Sequence, residues 1–132
     1  MTGTLSSDLN YCYTLLFTGD TEMKRGCYIR ALLCYENCRE SASILMKEDT
    51  IYKYCFYRAL RKEAQSLRHL GLNKRCFKLL SSSFEKKCEC HSREKLFVLL
   101  QLFDLSEIYE PEKTQTYLDL LKRESEIMRE DE

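Results

Sequence analysis

The stretch GDTEMKRGCYIRALLCYENC, residues 19–38, decides the fold. It sets Gly19, Gly26, Ala31, Tyr35 and Cys38 at intervals that suit two helices joined by a turn. A displacement of 45 residues carries these five positions onto Ala64, Gly71, Cys76, Leu80 and Ser83. Small residues fall on small ones, glycine falls on glycine, and the one large side chain falls on another. A fixed interval of this kind is the mark of stacked supersecondary units.

Helix packing supplies the reason. Where two helices cross closely, the contact residues must be small, which Gly19 or Ala64 provides on the first helix and Ala31 or Cys76 on the second. Tyr35 or Leu80, one turn later, fills the wedge that opens away from the crossing. Cys38 or Ser83 then admits the next helix.

Outward from this stretch, apolar residues recur near the helical period along the chain. Ser6, Ser7 and Asp8 offer N-caps for a first helix that ends near Lys24, and Arg25-Gly26 turns the chain into a second. Asp49 or Thr50 caps a third helix, about Ile51 to Leu70, with Gly71 as its left-handed C-terminal cap. Asn73 caps a fourth, Ser92 precedes a fifth over Glu94 to Ile108, and Pro111 opens a sixth at its first position. The expectation is an all-α fold of about six antiparallel helices, stacked as three hairpins over 8–46, 50–88 and 93–130 within a single domain of residues 1–132.

Composition agrees. One proline and four glycines in 132 residues leave few turn residues for a strand-rich fold. No run approaches the roughly 18 apolar residues of a membrane span; LFVLLQLF, residues 96–103, is short and contains Gln101. With no signal-type N-terminus, the expectation is a cytoplasmic or nuclear protein without membrane insertion. Its eight cysteines then read as reduced thiols, used mainly as small buried hydrophobes. Net charge is zero, but residues 47–78 hold nine Lys/Arg against three Asp/Glu, while 104–132 hold four against ten. The plainer reading of that asymmetry is two solvated faces or attraction between helices.

The residues quoted first resemble the tetratricopeptide repeat. Gly19, Tyr28, Ala31, Tyr35 and Cys38 stand where that family has a small residue in its first helix, then a tyrosine, an alanine, an aromatic and a small residue in its second. Residues 10–45 carry the likeness well. Residues 55–88 carry it less well, with Asn73 for the tyrosine and Cys76 for the alanine, and 93–130 form either a divergent third unit or a capping hairpin. The interval of 45 also exceeds the family's 34. The resemblance implies a non-catalytic scaffold or adaptor that buries a partner segment in a concave groove. The same opening hairpin also looks like a microtubule-interacting-and-transport domain, a three-helix bundle that binds helical tails of membrane-remodelling proteins, and a bundle with no repeat relationship would show the same apolar spacing.

On the repeat alignment the groove face of the third helix carries Arg58, Arg61, Gln65 and Arg68, beside His69. Arginines in a row can hold carboxylates or phosphates in bidentate fashion. The competing reading is that they are solvated or paired with the acidic last helix. The equivalent strip of the first helix is Tyr13, Leu16, Asp20 and Met23. Tetratricopeptide domains that grip chaperone C-termini have a lysine and an asparagine where Leu16 and Asp20 stand, so the resemblance implies a different partner, an acidic or helical protein segment.

Other chemistry is thinly represented. Cys88, Cys90 and His91 offer three soft ligands within four residues, but no second motif completes a zinc site, and an interhelical loop with incidental thiols is the plainer reading. No phosphate-binding glycine loop or nucleophile motif is present, so neither enzyme activity nor a cofactor is expected. A role with RNA or the ribosome is the alternative. Tyr54, Phe56, Tyr57 and Phe77 lie among Lys and Arg over residues 53–78, as stacking contacts would require.

Overall fold

The computed structural model describes residues 2–84 and 93–130, and over them the chain is all α-helical, with no strand among the described residues. The helices are α1 (Thr2–Lys24), α2 (Tyr28–Leu45), α3 (Tyr52–His69), α4 (Asn73–Phe84), α5 (Arg93–Tyr109) and α6 (Thr114–Glu130). No described helix is long and apolar enough to cross a membrane.

The helix ends follow local chemistry, with three departures from the sequence reading. The α1 helix extends back to Thr2, so Ser6, Ser7 and Asp8 lie inside it and do not cap it; no proline interrupts that segment. Pro111 opens a 3-10 turn, Pro111–Lys113, and α6 begins only after it. Asn73 is the first residue of α4 and not its cap. The Asp49 carboxylate does accept the Ile51 N–H, at 3.1 Å, just ahead of α3.

The two glycine turns are alike in detail. Gly26 and Gly71 have φ of 77° and 76°, a left-handed conformation that glycine adopts without strain. Arg25 N–H donates to the Thr21 carbonyl and Gly26 N–H to that of Met23; 45 residues on, Leu70 N–H donates to Ser66 and Gly71 N–H to Arg68. The next helix also starts alike, with Ala31 N–H donating to Cys27 and Cys76 N–H to Leu72, each at 3.0 Å. At the first turn Cys27 N–H also reaches the Glu22 carbonyl, which completes a Schellman motif.

The chain divides into two compact units, residues 1–71 and 72–132. The boundary at Gly71 falls within the segment expected to form the hairpin 50–88. In the first unit α2 packs against both α1 and α3. Cys12 pairs with Cys38 and Asp20 with Tyr35, so residue numbers fall along α2 as they rise along α1, and the two helices are antiparallel. Tyr28 stacks on His69 and Arg39 pairs with Glu63, which makes α2 and α3 antiparallel as well. Asp20 meets Lys62 and Met23 meets Ser66, at separations of 42 and 43 residues, so α1 and α3 run parallel. In the second unit α5 packs on both α4 and α6, and Val98, Leu99, Leu102 and Leu105 are buried.

All four small residues assigned to close helix contacts are buried: Gly19, with Ala31 at 0%, Ala64 at 1% and Cys76 at 0% exposure. Gly19 meets the ring of Tyr35, so the residue expected to fill a neighbouring wedge is itself the close contact.

Candidate partner-binding face

Most of the α3 surface is buried, including Cys55, Phe56, Ala59, Leu60, Glu63 and Leu67. Among the residues left at least partly uncovered, Tyr54, Arg58, Arg61, Gln65 and Arg68 form a narrow stripe at alternating spacings of four and three residues. Side chains so spaced line up along one helix face. The three arginines and Gln65 are half-buried, and Tyr54 is 45% exposed.

Two other charges of α3 are matched from within the unit. Lys62 Nζ lies 2.5 Å from Asp20 Oδ1, which also accepts the Tyr35 hydroxyl at 2.6 Å. Burial opposes ionisation of Asp20, but Lys62 and Tyr35 outweigh it and hold the carboxyl below its ordinary range. The same burial, with Asp20 beside it, pushes the Tyr35 hydroxyl far upward. Arg39 Nε meets Glu63 Oε1 at 2.6 Å, although burial still leaves the Glu63 carboxyl above its ordinary range. Asp20, read from sequence as a mildly acidic spot on the binding strip, therefore serves the seam between α1 and α3.

Arg58 differs from its neighbours. Its guanidinium lies over the Tyr54 ring, 5.9 Å from the centroid, within cation–π reach. Its Nε–H is buried and has no acceptor among the described residues. A buried donor left unsatisfied costs about 1–3 kcal/mol, a cost that is relieved when the Arg58 side chain turns toward an incoming acceptor. Arg61 donates to Gln65 Oε1 at 3.5 Å, one turn further along.

The α1 side of this face needs one correction. Tyr13 is 43% exposed, and burial together with the nearby Cys55 thiol pushes its hydroxyl upward, with Arg58 opposing. Leu16, expected to supply apolar contact, is 4% exposed and belongs to the core. It sits between Cys12 and Gly19, both of which touch α2, so it shares their covered side. The exposed apolar residue is its neighbour Phe17, at 74%, one turn beyond Tyr13. Met23 is half-buried, and its sulfur accepts the Ser66 hydroxyl at 3.7 Å, which places it in the α1–α3 seam. His69 is taken up by its stack on Tyr28, with ring centroids 4.7 Å apart.

Of the four aromatics assigned to nucleic-acid stacking, Phe56, Tyr57 and Phe77 are buried and Tyr54 alone is accessible. Cys88, Cys90 and His91 lie outside the described residues. Among the described residues no group of three His, Cys, Asp or Glu is placed to hold a metal ion.

No protein family, curated protein or solved structure matches the chain. The functional reading rests on the residues of this face.

Proposed function

We propose that the chain is a non-catalytic protein-interaction module whose α1–α3 face binds an acidic, helical segment of a partner protein. Arg58 is the central residue, and its buried Nε–H, unsatisfied among the described residues while its guanidinium lies over the Tyr54 ring, is the observation that carries the reading. A partner carboxylate there gains charge-assisted hydrogen bonds in a partly desolvated site, where binding energy concentrates. Arg61 and Arg68 continue the stripe for further carboxylates at matching helical spacing, while Tyr13, Tyr54 and Phe17 offer apolar contact.

A protein partner is favoured over nucleic acid because Phe56, Tyr57 and Phe77, three of the four aromatics that lie among the basic residues 53–78, are buried. The array of tetratricopeptide type remains the reading for the assembly role. The reading as a microtubule-interacting-and-transport type of domain gains support from one observation, the closure of a three-helix unit at Gly71. Both readings place a helical ligand on the first unit.

The test is fluorescence anisotropy with a labelled amphipathic peptide carrying glutamates at alternating spacings of four and three. The wild-type chain binds it, and Arg58→Glu lowers affinity about tenfold or more while helical circular dichroism stays unchanged. Equal affinity of the variant overturns the assignment. A single-stranded RNA that binds more tightly than the peptide, with a steep salt dependence, replaces it with the nucleic-acid reading.

A further inference from the structure

The second unit bears an apolar surface that the proposed function does not use. A groove of about 300 Å³ runs between α5 and α6, lined by Leu96, Phe97, Leu100, Leu121 and Ser125. Phe97 is 43% and Leu100 45% exposed, so two large apolar side chains stand at its edge in water.

The sequence along that edge is matched to itself. Arg93, Phe97, Leu100 and Asp104 are all exposed and follow one another at spacings of four, three and four, the seam of a heptad pattern. When two copies of such a helix pack antiparallel about a twofold axis, residues before the axis on one meet residues after it on the other. Phe97 of each copy then lies opposite Leu100 of the other. Arg93 stands four residues before Phe97, and Asp104 four residues after Leu100, so the same register sets each Arg93 opposite an Asp104. Apolar residues occupy the centre and opposite charges both ends. No shift of register satisfies all four positions.

We infer that this face is a homodimer interface, in which α5 of two copies pack antiparallel about a point between Phe97 and Leu100. The occupant of the groove is the Phe97 ring of the second copy. Ser125, the one small residue of the lining, leaves the α6 wall low enough to admit it. Because the interface is isologous, each substitution acts twice, which gives the test its sensitivity.

The experiment is sedimentation equilibrium on the full chain under reducing conditions, across about a hundredfold range of concentration. The wild-type chain dimerises, and Leu100→Glu raises the dissociation constant about a hundredfold or more through two buried charges facing apolar side chains. Arg93→Asp sets like charges opposite each other and weakens the dimer about tenfold; adding Asp104→Arg restores it. All the altered side chains are exposed, and circular dichroism confirms that each variant keeps its helices. A wild-type chain that stays monomeric, a dimer indifferent to Leu100→Glu, or a double variant no tighter than Arg93→Asp overturns the inference. This outcome is independent of the Arg58 measurement, which concerns the first unit.

Discussion

Gly19 lies so close under the ring of Tyr35 that a methyl group at position 19 would sit 2.8 Å from Cζ and 2.9 Å from Cδ1. The ring has little freedom to retreat, since its hydroxyl is held by Asp20 and the Lys62 ammonium lies 5.8 Å from its centroid.

Gly19→Ala therefore destabilises the first unit. In an uncrowded helix the change would stabilise by about 0.5–1 kcal/mol, but overpacking costs about 1–3 kcal/mol, so the net loss reaches about 2.5 kcal/mol. Urea denaturation reads the sign directly. In the background Tyr35→Ala the same change costs nothing or stabilises, because the obstructing ring is gone.

The two glycine turns give a paired prediction. Gly26→Ala and Gly71→Ala each place a β-carbon at positive φ with open space around it, so the cost is backbone strain alone, about 1 kcal/mol. Because the turns share φ and the two bonds donated by residues 25 and 26 or 70 and 71, the two losses agree within about half a kcal/mol, and asparagine at either site costs less. Thermal denaturation of the four variants checks this.

Asp20 and Glu63 give opposite pH dependences. The Asp20 carboxyl is held below its ordinary value of 3.8, so its contribution is present above that value and is lost as pH falls through the lowered one. The Tm advantage of the wild-type chain over Asp20→Asn is accordingly greatest near neutral pH and shrinks on acidification. Glu63 is raised from 4.5 by burial, so its contribution is fully present below 4.5 and lost as pH rises through the raised value. Relative to Glu63→Gln, the wild-type chain gains stability as pH falls.

Much of this architecture was legible because it is local. Glycine at 26 and 71 specifies the same turn twice, and the stripe from Tyr54 to Arg68 can be read from spacing alone, since every residue between is apolar, small or matched by a charge elsewhere. Leu16 was misplaced because the repeat alignment equates it with Arg61, whereas burial is decided by the neighbouring helix: α2 covers the side of α1 that Cys12, Leu16 and Gly19 share. Phe17 carried no periodic signal, for it lies off that side. The division at Gly71 was not legible either, because the chemistry of its turn is that of Gly26, and only contacts between distant residues define a unit.

The central claim is that Arg58 receives a partner carboxylate through an Nε–H that has no acceptor among the described residues. Nuclear magnetic resonance of the arginine side chains observes that proton. On titration with the glutamate-bearing helical peptide, the Arg58 Nε–H signal moves downfield and saturates at the concentration where binding saturates. A signal that stays in place while the peptide binds contradicts the account.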